Sequence, residues 1–249
     1  MLTLGSVPYL NALPLYRTLE TSGNAQILRV VPARLGKHLQ SGECAAALLP
    51  IVDHFRDPQS SLISDACIGS DGAVRSVLLF MKKPPREIQR VAADTSSHTS
   101  VALLRVLLAD VFGIRPSFVD HAPNLETMLQ NHDAALIIGD NALEAAQNPP
   151  DAEILDLGAQ WKQLTGLPFV FAAWITRGQT ENLGEVLSRA RDEGEANLKQ
   201  IVEENPISTR LSPFQIEDYL RHAVTFHLNE NHRAGLEEFR ARCQKHELI

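Results

Sequence analysis

Through its first two thirds the chain alternates short β-type apolar runs with amphipathic segments, a pattern that implies an α/β architecture of strands joined by crossover helices. Leu2 to Val7 reads as the first strand, Asn11 to Thr21 as a helix that tolerates Pro14 in its first turn, and Ile27 to Val31 as the second strand. A helix from Pro32 to about Ser41 is stopped by Gly42, and Cys44 to Leu49 is a buried strand that Pro50 cannot extend. Val74 to Met81 is a further apolar strand, and the polar, proline-rich Lys82 to Pro85 after it predicts the first crossing into a second lobe. That lobe begins with a strand at Arg90 to Ala93 and a helix ended by Gly113. It continues with strands at Ser117 to Val119, Ala134 to Ile138 and Ile154 to Leu157, separated by helices at Pro123 to Gln130 and Asn141 to Ala146. Phe169 to Ile175 reads as the strand that returns to the first lobe. Beyond it only helices are predicted: one long helix over Asn182 to Glu204, one started by Ser212-Pro213, and a last one over Ala234 to His246. The expected organisation is a discontinuous lobe of residues 1–82 and 175–249 around an inserted lobe of residues 83–174.

Size and charge narrow the function classes. With 249 residues, 44% of them hydrophobic, the chain can bury a core unaided. Lys and Arg number 23 against 30 Asp and Glu, a formal net charge of −7, which argues against nucleic acid as a partner. Cys44, Cys67 and Cys243 are an odd, widely spaced set without a Cys-x-x-Cys pair, so neither a disulfide framework nor a zinc site is expected and the compartment reads as reducing. No apolar run approaches the roughly 20 residues of a membrane span. The N-terminus carries no export-type pattern, so a cytoplasmic location without membrane attachment is expected.

A cleft between two lobes is the natural place for a small ligand, beyond the carboxyl ends of the strands. Four loops meet that description: Val7 to Asn11, Leu49 and Pro50 to Ile51, Thr95 to Ser100, and Gly139 with Asp140 to Asn141. The run Asp94-Thr-Ser-Ser-His-Thr-Ser100 leads into a helix, where hydroxyls and unpaired N–H groups either cap the helix or bind an anion; Ser97, Thr99 and Ser100 are the candidates. Asn11 can cap a helix or offer its amide to a ligand. Arg75, next to Ser76 at the head of an apolar strand, can meet a substrate carboxylate from a buried position or pair with a nearby acid. Asp140 can orient a ligand hydroxyl or cap the following helix, and His98 can move a proton or be an inert loop residue. Trp161, Phe169, Phe171 and Trp174 form either a pocket wall or interlobe core. The nine histidines show no metal-ligand spacing, and no phosphate-loop, dinucleotide or nucleophile-elbow motif occurs.

Five segments, in this order and spacing, resemble the chorismate dehydratases of the futalosine route to menaquinone: Gly5-Ser-Val-Pro-Tyr-Leu-Asn-Ala-Leu-Pro-Leu15, Val74-Arg-Ser-Val-Leu-Leu-Phe80, Asp94 to Leu104, Ile138-Gly-Asp-Asn-Ala-Leu143, and Trp161 to Trp174. The resemblance covers nearly the whole chain. It implies the two-lobed type 2 periplasmic-binding-protein fold and loss of water from chorismate to give 3-[(1-carboxyvinyl)oxy]benzoate, with no metal or organic cofactor. It matches Asn11 to the family's active-site asparagine, and the dianionic substrate suits Arg75, Ser76, Thr99 and Ser100. No protein base stands out beyond His98 and Asp140, which leaves the substrate's own enolpyruvyl carboxylate as a proton acceptor. One departure is Phe226, where the family often has tyrosine, so a polar contact from the C-terminal helices is expected to be missing. The competing readings are a non-catalytic binder of small anions and the later, dihydroxynaphthoate-forming enzyme of the same route; Tyr9-Leu10-Asn11-Ala12 favours the dehydratase.

Overall fold

The computed structural model describes residues 2–94, 98–178 and 180–249. Along the chain, strand β1 (Leu2–Ser6) passes through a 3-10 turn (Leu10–Ala12) into helix α1 (Leu13–Thr21), followed by β2 (Ala25–Arg29), α2 (Pro32–Gln40), β3 (Ala46–Pro50), α3 (Ile51–Arg56) and β4 (Ser61–Ser70). Next come β5 (Val77–Met81), β6 (Arg90–Asp94), α4 (His98–Phe112), β7 (Ser117–His121), α5 (Leu125–Asn131), β8 (Ala134–Ile138), α6 (Gly139–Gln147), β9 (Glu153–Asp156) and α7 (Leu157–Thr165). The chain ends with β10 (Phe169–Thr176), α8 (Leu183–Ala196), α9 (Leu198–Glu203), α10 (Pro213–His222), β11 (Thr225–His227) and α11 (Glu230–Lys245).

Two sheets result. The first has six strands in the order β11-β4-β10-β3-β1-β2, and the second five in the order β7-β6-β8-β5-β9. Both are mixed. β1 runs parallel to β2 and β3, and β6 parallel to β7 and β8, as βαβ crossovers require. β10 is antiparallel to both β3 and β4, and β5 to both β8 and β9. Sheet membership corrects the expected first crossing. β5 is buried along its whole length and pairs inside the second sheet, so the chain crosses between Ser70 and Val77, ahead of residue 82. The proline-rich stretch expected to cross instead turns through a 3-10 segment (Pro85–Glu87) and connects β5 to β6. The strand read as returning to the first lobe is in the first sheet from Phe169 onward, so the second crossing too lies ahead of the expected boundary, at residue 174; its unbroken apolar run suits a strand buried on both faces.

Other expectations shift for local reasons. The helix predicted over Asn182 to Glu204 is two helices broken at Asn197, whose side chain donates to the Glu193 carbonyl and caps the break. The all-helical reading of the C-terminal third misses β11, a three-residue edge strand beside β4. Also absent from that reading are α3, the ten-residue β4 and α7, which begins where Asp156 accepts from the Ala159 N–H. Trp161 and Phe169 pack edge-on against Phe239 of α11, at centroid distances of 5.8 and 4.8 Å, so these two aromatics are core. All three cysteines are free and buried, and burial pushes the thiols of Cys67 and Cys243 up to about 12, where they stay protonated.

α8 lies on α1 at backbone contact. A Cβ on Gly194 would stand 1.9 Å from the Pro14 carbonyl oxygen, a separation no rotamer change relieves. Gly194→Ala is therefore expected to destabilise the protein by on the order of 3 kcal/mol, read as a lowered melting temperature. Gly36→Ala, where nothing lies within 4 Å of the added methyl, should leave stability unchanged or raise it by up to about 1 kcal/mol.

Candidate functional site

The sheets present the carboxyl ends of β1, β3, β6 and β8 to a common cleft holding about 530 Å³ of unfilled space, its mouth included. Residues from both sheets line it: Val7, Tyr9 and Asn11 after β1, Leu48 and Pro50 on β3, Val74 and Ser76 in the crossing, Ser100 on α4, Gly139 on α6, and Phe171 and Ala172 on β10. Among the described residues no charged side chain lines it. Helix starts do. Pro32 is the first residue of α2, Pro50 the N-cap of α3, Ser100 sits in the first turn of α4, and Gly139 opens α6. The positive ends of helix dipoles thus converge on a mostly apolar space, a setting that favours an anion without a counter-cation.

Three polar side chains form a chain at the cleft wall. The Tyr219 hydroxyl, on the buried face of α10, accepts from Asn11 Nδ2 at 3.2 Å and donates to Ser76 Oγ at 2.8 Å. Burial holds the phenol well above its ordinary value, so it keeps its proton. Asn11 Oδ1 is buried and has no hydrogen-bond partner among the described residues. Sequence reasoning missed Tyr219 and expected no polar contact from the C-terminal helices. The signal lay in spacing: Tyr219 stands three residues after inward-facing Ile216, in a helix whose start is fixed by the Ser212/Gln215 capping box.

The crossing itself is clamped by Asp156, whose carboxylate accepts from the N–H groups of Val74 at 3.1 Å and Arg75 at 2.7 Å while capping α7. Arg75 adopts a left-handed φ of 61°, which turns it outward while Ser76 points in. Its guanidinium is exposed and pairs with Asp218 at 2.6 Å, so the ion-pair alternative holds and the buried, carboxylate-binding one does not. Leu49 is buried yet off the cleft, because strand alternation gives the cleft face to its neighbours Leu48 and Pro50. Thr99 is also turned away: its hydroxyl accepts from Val52 N at 3.3 Å and satisfies an N–H in the first turn of α3. Ser97 lies outside the described residues. His98 has an acidic partner that the sequence did not reveal, Asp53 on α3, at 2.7 Å; this hydrogen bond raises the histidine above its ordinary value. Neither residue is on the cleft lining.

Gly139 does line the cleft, at a φ of 63°, with the Tyr9 ring 3.1 Å from where a Cβ would stand, so only glycine fits there without strain. Asp140 behind it neither lines the cleft nor caps its helix through a side-chain bond; its two oxygens lie 3.2 and 3.4 Å from the Leu10 N–H, tying α6 to the 3-10 turn that carries Asn11. The described groups able to share a metal ion, Asp192, Glu195 and His227, are outside the cleft.

Burial pushes the Asp140 carboxyl up to about 7, and Glu144 adds repulsion. A carboxyl raised in the folded state favours folding in its protonated form, fully below the ordinary value of 3.8, and that contribution is lost as pH rises through 7. Asp140→Asn removes the titration. Measured by thermal melts, the stability of the parent relative to Asp140→Asn should fall between pH 4 and pH 8, by on the order of 5 °C.

A family model described as menaquinone biosynthesis matches residues 2–245. A chorismate dehydratase of Thermus thermophilus is 34% identical, covering 95% of this chain and 93% of that one. A chorismate dehydratase of Campylobacter jejuni is 26% identical, covering 96% of each. Among solved structures, an Archaeoglobus fulgidus protein superposes with a TM-score of 0.81 at 16% identity, covering 99% and 98% of the two chains. The periplasmic aliphatic sulphonate binding protein of Escherichia coli does so with a TM-score of 0.66 at 15% identity, covering 100% and 88%. The latter two fix the fold as that of the two-lobed periplasmic binding proteins. The sequence matches go further: the chain belongs to the menaquinone-biosynthesis family, among the chorismate dehydratases.

Proposed function

We propose that the cleft binds chorismate and removes water from it, giving 3-[(1-carboxyvinyl)oxy]benzoate, a cytoplasmic step towards menaquinone. The observation that carries the chemistry is the neutral cleft on which helix N-termini converge. Chorismate brings two carboxylates, and peptide N–H groups at the start of α4 and α6 can receive them without a lysine or arginine. Loss of the C3 proton leaves a carbanion that delocalises through the diene into the ring carboxylate. Fixed dipoles aimed at that carboxylate stabilise the charge as it develops, in a cleft lined mostly by apolar side chains.

The departing C4 hydroxyl needs both a donor and an acceptor. Ser76 and Asn11 supply them from the hydrogen-bond chain they form with Tyr219, with Asn11 Oδ1 free to accept among the described residues. The C3 proton goes to the substrate's enolpyruvyl carboxylate, held close by the cleft, and the C4–O bond breaks as the ring becomes aromatic; hydroxide and that proton leave as water. This assignment follows from the placement of the alternatives. His98 is engaged by Asp53 and Asp140 by Leu10, both off the cleft lining.

Incubation of the purified protein with chorismate should bleach the diene absorbance and yield a product lighter by one water. Chorismate that survives while raising the melting temperature would instead make the protein a binder. Arg75→Ala should leave KM within about threefold of the parent, because its guanidinium faces Asp218. His98→Ala and Asp140→Asn should each keep at least about a tenth of kcat; near-complete loss in either, with the fold intact, would give the proton to a protein base.

A further inference from the structure

We infer that the Tyr219 hydroxyl is a positioning group that decides which end of the Asn11 amide faces the substrate. A phenol has one proton. Here it is given to Ser76 Oγ, so the Tyr219 oxygen offers Asn11 only lone pairs and selects the Nδ2 end, at 3.2 Å. Oδ1 is thereby turned away from Tyr219, and it has no other partner among the described residues. Ser76, having accepted from Tyr219, retains its own proton. An acceptor on Asn11 and a donor on Ser76 then border the same cleft, the complement of an alcohol that both gives and takes a hydrogen bond. The opposite polarity is closed on itself: were the phenol proton turned to Asn11, the amide would reverse and present NH2 to the cleft, and Ser76 would spend its proton on Tyr219. Tyr219 is 2% exposed and lies on α10, outside the cleft lining, so it acts on the substrate through Asn11 and Ser76 alone.

This polarity predicts a reversal of sign between two variants. In Ser76→Ala the phenol loses its acceptor and its proton turns to Asn11, which locks the amide the wrong way round. Adding Tyr219→Phe removes that proton and releases the amide. The kinetic arm rests on the chorismate reading, so a folded parent that does not dehydrate chorismate overturns that reading and leaves the second arm to decide this one. Expected values are a kcat about tenfold below the parent for Tyr219→Phe with KM within about twofold, and about a hundredfold below for Ser76→Ala. The double variant should then exceed Ser76→Ala by at least about threefold, where independent losses would multiply to a lower value. A double variant no more active than Ser76→Ala overturns the inference. The second arm needs no turnover. With 15N-labelled asparagine, the Asn11 side-chain NH2 should exchange slowly with deuterium in the parent and at least about tenfold faster in Ser76→Ala, where it faces the cleft. Unchanged exchange overturns the inference. Should Ser76→Ala fail to fold, the same comparison in Tyr219→Phe decides, with unchanged protection again the overturning result.

Discussion

Strand β10 rejoins what the chain has separated. It enters the first sheet between β3 and β4 and pairs Ala173 with Leu49 on one side and Cys67 on the other, contacts that span more than a hundred residues of intervening chain. Without it, β3 and β4 would be two exposed edges and the excursion through the second sheet would be an open loop. Its position also sets the floor of the cleft, because the register shift between Val170 and Ala172 brings Phe171 and Ala172 to the lining while Phe169 stays in the aromatic core. Fold and site are therefore fixed by the same pairing. The helices that follow it pack closely, Gly194 of α8 against the Pro14 backbone of α1, while α10 brings Tyr219 to Ser76.

The site combines two kinds of order. Helix starts give it charge complementarity, and a small set of directional contacts gives it orientation: Asp156 on the crossing backbone, Asp140 on the 3-10 turn, and Tyr219 on Asn11 and Ser76. Tyr219 and Asp156 hold residues that border the cleft, Asn11, Ser76 and Val74, and Asp140 holds Leu10, next to Asn11, while none of the three supporting side chains lines the cleft itself. This is the supporting layer that catalytic geometry requires, since a reacting group displaced by about 1 Å loses much of its advantage.

Periodicity in the sequence was sufficient for the α/β class, for the repeated βαβ units and for the return strand, because those rest on burial patterns that any single segment displays. It misplaced β5, since an apolar run followed by prolines carries no mark of which sheet will take it; the clamp by Asp156, about eighty residues further on, does that. Asn11, Ser100, Pro50 and Gly139 were legible as loop residues at strand ends and Ser76 as a residue at the head of a strand, and all five reach the cleft lining. Arg75, Thr99 and Leu49 were not, for one reason: side-chain direction depends on a left-handed φ, a neighbouring helix start and a strand's pleat, which are properties of the fold and not of residue type. Tyr219 and Asp53 were hidden because their partners are remote in the chain.

The absence of charged side chains from the described cleft lining has a consequence for how such a site can change. In the proposed mode of binding, attraction for the anion resides in peptide groups at helix starts, which are held by the backbone and persist whatever the wall residues are. The walls, Leu48, Val74 and Phe171 among them, are free to vary in bulk without disturbing that attraction. Shape selectivity and charge selectivity are thus written in separate parts of the chain, so a lineage can exchange one rigid carboxylate ligand for another by trading apolar side chains while the electrostatic frame stays as it is.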